Sequence, residues 1–101
     1  MTDHYILDGH KAVRVDDLMT WATKFEDAEF RRVSSTKVNG IEVSTVFLGL
    51  DHSFGHGPPA IFESMIFGGE HDQGQWRYST WEEAESGHKR IVAALEAGEK
   101  P

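Results

Sequence analysis

The sequence contains no cysteine and has fewer basic than acidic residues. Without cysteine, disulfide bonds and thiolate metal sites are excluded, and the redox compartment is left open. Ten Lys and Arg against seventeen Asp and Glu give a formal net charge of −7. This charge repels the phosphate backbone on which nucleic-acid affinity depends. It therefore disfavours duplex DNA as a partner and is compatible with a basic protein surface.

Long apolar segments are also absent. No stretch approaches the roughly 20 apolar residues that span a bilayer, and the N-terminus, MTDHYILDGHKAVRVDD, lacks a basic start followed by an apolar run. We therefore expect no membrane association and a cytoplasmic location. The 101 residues predict a single domain, of a size at which oligomerisation often adds stability.

Two apolar runs flank a loop in the middle of the chain, and we expect them to form the centre of the fold. Residues 41–50 pass from alternating to continuous apolar character, and residues 61–67 form a second run. Such runs are typical of strands covered on both faces. The sequence predicts a central antiparallel pair, with the loop 51–60 held at one end of a sheet.

Two dipeptides ending in glycine predict β-hairpins. Residues 8–9 (Asp-Gly) separate short apolar segments at 5–7 and 12–15, and residues 39–40 (Asn-Gly) separate the polar segment 30–38 from the first apolar run. Both dipeptides suit the positive φ angles of a tight turn. The polar segment is expected to be an outer strand, with its charges exposed to solvent.

The Asn-Gly turn also predicts the register of the hairpin. With a two-residue turn, opposite charges face each other beside the turn, and apolar residues face each other at both ends. The expected pairs are Val38 with Ile41, Lys37 with Glu42, and Val33 with Val46.

Two helices are expected, one near each end of the chain. Asp16 or Asp17 can cap the first, which runs to about residue 27, and Thr80 with Glu83 forms a capping box for the second, which ends at Gly98. Apolar residues recur at helical spacing in both segments, and we assign them to the core. In the first helix these are Leu18, Trp21, Ala22 and Phe25, and in the last Trp81, Ala84, His88, Ile91, Val92 and Leu95.

These elements predict an α+β fold. A last strand at 76–78 completes the order ββαββββα, a mostly antiparallel sheet with two helices packed on one face. Gly87 lies inside the last helix, where glycine costs about 1 kcal/mol relative to alanine. We interpret it as a point where the helix approaches the sheet closely.

Metal and catalytic chemistry find little support in the sequence. Histidines and carboxylates occur in two loops, but their spacing matches no closed ligand motif, and the two loops should lie at opposite ends of the sheet. We therefore predict neither a metal nor another cofactor. The residues concerned are Asp51, His52, His56, Glu70, His71 and Asp72.

General acid–base catalysis is the other enzymatic option. It would use His52 with Asp51 or Glu63, but adjacent strand residues point to opposite faces, and no nucleophile elbow or phosphate loop is present. We accordingly predict no catalytic residue. We expect Glu63 to face solvent or to pair with Arg77 across the sheet, and His88 to be a hydrogen-bonded, partly buried histidine.

Four segments resemble a group of small uncharacterised proteins found in tailed-phage and prophage genomes. They are STVFLGLDH (44–52), the Gly-Pro loop 55–59, IFESMIFGG (61–69) and RYSTWEEA (77–84). The resemblance implies a phage-type accessory protein that acts in the bacterial cytoplasm. Such proteins often act by binding. In an anti-defence role they block a host protein or sequester a signalling nucleotide. The alternative is a small metal-assisted hydrolase that uses loop histidines and carboxylates.

The central loop is the predicted binding surface for such a partner or ligand. Its side chains offer hydrogen-bond donors, an aromatic face and pH-sensitive charge, and its prolines reduce the entropy lost on ordering. The predicted residues are His52, Phe54, His56 and Pro58, with Arg77 as a neighbour. Three Trp, two Tyr and six Phe in so small a chain, with an outer strand, also favour self-association as a symmetric dimer.

Overall fold

The computed structural model describes residues 3–26, 28–53 and 57–101. It has the predicted α+β architecture, with two antiparallel sheets and three helices in the described ranges. The short helix α2 was not predicted. The elements are β1 (His4–Asp8), β2 (Lys11–Val15), α1 (Leu18–Phe25), α2 (Ala28–Arg31), β3 (Arg32–Val38), β4 (Ile41–Phe47), β5 (Phe62–Phe67), β6 (Gln75–Tyr78) and α3 (Trp81–Glu96).

The larger sheet has the strand order β3-β4-β5-β6. The two apolar runs are its central strands, and the polar β3 is an edge strand, as predicted. Alternate residues of β4 and β5 are buried, and α3 contacts all four strands on that face. Since side chains alternate between the faces of a strand, the residues between them lie on the uncovered face of the sheet. The core therefore lies between α3 and the sheet.

The β3–β4 hairpin confirms the predicted turn and most of the predicted register. Asn39 and Gly40 have φ angles of 51° and 83°, and Val38 pairs with Ile41 and Lys37 with Glu42. The predicted pairing of Val33 with Val46 is wrong, because Arg32 occupies that position. A bulge between Arg32 and Ser34 inserts one extra residue at the far end of β3.

The N-terminal hairpin forms a separate two-stranded sheet attached to the end of β4. Asp8 pairs with Lys11, so the turn is Gly9–His10, one residue later than predicted, and Gly9 has a φ of 62°. The outer edge of β1 joins the segment that follows β4, because the Tyr5 amide donates to the Gly49 carbonyl at 2.8 Å. This attachment places the hairpin turn near the start of α3.

Helix α1 begins at the predicted cap, where the Asp17 carboxylate accepts a hydrogen bond from the Met19 amide at 3.1 Å. It contacts β1, β2 and α2, whereas α3 covers the larger sheet. The Trp21 indole donates to the Gly49 carbonyl at 3.0 Å and so fixes α1 on the segment that follows β4. Leu18 was predicted to be a core residue, but it is 59% exposed, and the other residues of the predicted face, Trp21, Ala22 and Phe25, are only half-buried.

Helix α3 starts and packs as the sequence predicts. The Thr80 hydroxyl accepts from the Glu83 amide at 3.1 Å. Gly87 is buried against Tyr78, and a Cβ atom at this position would overlap the tyrosine hydroxyl and ring. The close approach predicted from this glycine is therefore confirmed. Within the described ranges, no helix combines the length and the apolar character that crossing a bilayer requires.

Candidate functional site

The predicted binding loop is tied together at both ends. The Asp51 carboxylate accepts hydrogen bonds from the amides of Ser53 at 2.8 Å and Ala60 at 3.0 Å. The His52 amide donates to the Ala60 carbonyl at 2.9 Å. The bond from the Ser53 amide is the main reason that the pKa of Asp51 lies below its usual range, so the carboxylate stays ionised at neutral pH. Asp51 is thus an anchor of the loop.

The five predicted site residues have different positions. Phe54 and His56 lie outside the described residues. His52 is half-buried and Pro58 is exposed within the loop. Arg77 lies on the uncovered face of the sheet, where its Nε donates to Glu63 Oε2 at 3.1 Å. The predicted pairing of Glu63 with Arg77 is confirmed, and it engages the Nε of the guanidinium group.

A cleft of about 410 Å³ lies beside this loop, and we call it the hairpin cleft. The N-terminal hairpin, the end of the loop and the first turn of α3 form its walls. Of the predicted loop, Pro59 contributes to the lining. The other main lining residues are Tyr5, His10, Lys11, Trp81 and Glu82.

Aromatic rings form one wall of the hairpin cleft. The His10 imidazole stacks on the Trp81 indole, with ring centroids 3.9 Å apart and planes 7° from parallel. Trp81 is held from behind by an edge contact with Phe62, at 6.3 Å between centroids. Lys11 and Glu82, both exposed, add one charge of each sign. The cleft can therefore accept a planar ring that carries a polar or charged substituent.

A chain of hydrogen bonds is buried between α3 and the sheet, and we call it the hydroxyl chain. His88 is 3% exposed, and its Nδ1 and Nε2 lie 2.7 Å from Thr45 Oγ1 and 2.9 Å from Thr36 Oγ1. Thr45 also bonds to the hydroxyl of Ser64, and the Tyr78 hydroxyl bonds to Ser64 Oγ at 3.1 Å. The predicted hydrogen bonding of His88 is confirmed, and the residue is more deeply buried than the sequence predicts.

The hydroxyl chain is not arranged for catalysis. A hydroxyl within hydrogen-bond reach of an imidazole is the pairing that activates a nucleophile. Here, however, Thr45 is fully buried and His88 nearly so, and a substrate has no access to either. Burial lowers the pKa of His88, so the imidazole is neutral at pH 7. The hydroxyl chain is therefore part of the protein core.

The described residues contain no group of three or more histidines and carboxylates placed to hold a metal ion. His52 and His71, both considered as ligands, are found in separate loops, and His56 lies outside the described ranges.

Sequence reasoning missed the residues that the N-terminal hairpin brings to the cleft. Tyr5, His10 and Lys11 are distant in sequence from Trp81, and no local pattern links them. The nearest signal was Gly9, because it predicts a turn beside His10 and Lys11, whose side chains carry polar groups. Comparisons with family models, curated proteins and solved structures found no match to this chain.

Proposed function

We propose that the protein is a non-enzymatic binding domain that holds a small, nucleotide-like ligand in the hairpin cleft. The observation that carries the proposal is the stack of His10 on Trp81 at the wall of a cleft of about 410 Å³. Small-molecule pockets usually measure about 300–1,000 Å³. Any nucleobase has a flat π surface, and stacking on an aromatic side chain contributes about 1–3 kcal/mol per base.

The charges at the cleft suggest an orientation for the ligand. Lys11 lies on the hairpin wall and offers an ammonium group to a phosphate, and the first amides of α3 favour negative charge in the same region. Glu82 opposes this on the helix wall, so a phosphate belongs on the Lys11 side. A ring stacked on the outer face of His10, whose other face lies on Trp81, and a phosphate toward Lys11 satisfy both constraints.

Binding accounts for the lining residues better than turnover does. One face of the His10 ring lies on Trp81, and the Thr80 hydroxyl is used in the cap of α3. Neither arrangement pairs a base with a nucleophile at the cleft surface. With the resemblance to phage proteins, this favours an accessory protein that sequesters a signalling nucleotide in the bacterial cytoplasm. Blocking a host protein is the second candidate, favoured by Leu18 and Met19, which are 59% and 72% exposed on α1.

Replacement of Lys11 should weaken ligand binding with little effect on stability. A thermal-shift screen of linear and cyclic nucleotides should first identify a ligand, which stabilises the folded state by about 2.7 kcal/mol at 100 times its Kd. Lys11→Ala should then weaken binding about 5- to 10-fold, or about 1–1.4 kcal/mol, because it removes a charge-assisted contact to the ligand. Calorimetric titration of both proteins measures the difference.

The matched control is Lys37→Ala, an exposed lysine on β3 that does not line the cleft. This variant should bind like the wild type, and equal weakening by both substitutions would contradict a site at the hairpin cleft. His52→Ala separates the two candidate surfaces, because a ligand bound by the predicted loop would be lost and a ligand bound in the cleft would be retained. If no nucleotide stabilises the protein, the proposed ligand class is wrong.

A further inference from the structure

The hydroxyl chain crosses the whole sheet beneath α3. Thr36, Thr45, Ser64 and Tyr78 come one from each of the strands β3 to β6, and His88 joins them from the helix. Both nitrogens of the imidazole are engaged. A network that spans all four strands and the helix responds as a unit when one member changes, because each hydroxyl has a single proton to donate.

The partners of each group favour one order of donors. The Tyr78 hydroxyl donates to Ser64, and the most direct continuation has Ser64 donate to Thr45 and Thr45 donate to His88 Nδ1. The remaining nitrogen, Nε2, then carries the proton and donates to Thr36 at 2.9 Å. This order gives each of the four bonds one donor and leaves only the proton of the half-buried Thr36 without an acceptor in the hydroxyl chain, and it requires the Nε2–H tautomer of a neutral imidazole.

Charged groups are absent from the immediate surroundings of His88 in the described structure. The strands present hydroxyl groups to it, of which Tyr78 is the titratable one. On its own helix, Glu85, Lys89 and Arg90 are exposed. Glu63 and Arg77 point from the opposite face of the sheet, where they pair with each other. A positive charge on His88 would therefore be buried without a counter-charge.

We propose that the hydroxyl chain is a pH-sensitive latch, which holds α3 on the sheet while His88 is neutral and releases it on protonation. An imidazolium donates from both nitrogens, so Thr45 would have to stop donating to Nδ1 and turn toward Ser64. The proton of Ser64 would then lose its acceptor in a fully buried position. Leaving a buried donor unpaired is costly, and it adds to the cost of the buried charge.

The direction of the pH effect follows from the lowered pKa of His88. The unfolded chain takes up the proton near pH 6.5, whereas the folded protein resists it to lower pH. The contribution of neutral His88 to stability is complete above about pH 6.5. It is lost as the pH falls from there toward the folded-state pKa.

Two measurements on the intact protein test the latch. Long-range ¹H–¹⁵N NMR of the imidazole near pH 7.5 should show the neutral Nε2–H tautomer, and no titration of His88 near pH 6.5 in the folded state. An Nδ1–H tautomer, or titration at the ordinary value, would overturn the proposal. This measurement uses the wild type and therefore does not depend on whether a variant folds.

Denaturation at different pH values supplies the second measurement. Below about pH 6.5 the folding constant of the wild type should fall more steeply than that of His88→Gln, with the difference approaching about tenfold per pH unit. Glutamine keeps one donor and one acceptor but does not titrate. Equal slopes for the wild type and His88→Gln would exclude the latch.

Discussion

Phe62→Ala should unfold the protein or leave it barely stable at 25 °C. The ring is fully buried, lies 5.2 Å from the ring of Phe47, and supports Trp81 from behind. It thus joins the sheet to the first turn of α3 and to the cleft wall. Replacing a core phenylalanine by alanine costs about 3–5 kcal/mol. The whole stability of a domain of this size is about 5–15 kcal/mol.

Urea denaturation followed by tryptophan fluorescence measures this loss, and the chain supplies a matched control. Phe67 is on the same strand as Phe62 but on the uncovered face, where it is 45% exposed. Phe67→Ala should change the free energy of unfolding by less than about 1 kcal/mol. If both substitutions destabilised the protein equally, the assignment of the core to the α3 side of the sheet would be wrong.

The parts of the fold that the sequence predicts are those that depend on local chemistry. Asn39 and Gly40 specify a turn with positive φ angles, and the alternation of apolar residues in β4 specifies which side faces the core. Thr80 with Glu83 specifies the start of α3. In each case, neighbouring residues contain the information, and packing elsewhere in the chain agrees with it.

The parts that could not be predicted depend on packing between distant segments. The bulge beside Arg32 shifts the register after a correctly predicted turn, and no residue type there signals it. Leu18 fits the apolar face of α1 by spacing, yet it is exposed, and α1 packs on the small hairpin without burying any of its residues fully. Periodicity indicates which residues share a face, but it does not indicate how much of that face a partner covers.

The hairpin cleft could not be predicted for the same reason, because it also depends on packing between distant segments. The predicted loop and the hairpin cleft share a border at Pro59, but the aromatic wall of the cleft combines His10 with Trp81. That contact exists because β1 adds to the chain segment after β4, through the Tyr5 amide and the Gly49 carbonyl. The patterns that predict a hairpin cover only its own strands and turn. They therefore do not indicate where the hairpin attaches to the rest of the fold.

Gly87→Ala should destabilise the protein although alanine is the better helix former. Helix propensity alone would stabilise α3 by about 1 kcal/mol. The new Cβ, however, would overlap the hydroxyl and ring of Tyr78, which is a rigid group between helix and sheet. Overpacking of this kind costs about 1–3 kcal/mol, and moving Tyr78 also breaks its hydrogen bond to Ser64. We expect a net loss of about 1–3 kcal/mol in urea denaturation.

Ser86→Ala is the control for helix propensity, because Ser86 is the preceding residue and is exposed. It should leave stability unchanged or raise it slightly. A double-mutant cycle with Tyr78→Ala identifies the cause. If Gly87→Ala acts through the tyrosine, it should cost much less in the Tyr78→Ala background than in the wild type, because the group that it displaces is gone. Simply additive losses would show that the glycine is required by the helix backbone, and not by the close packing of α3 on β6.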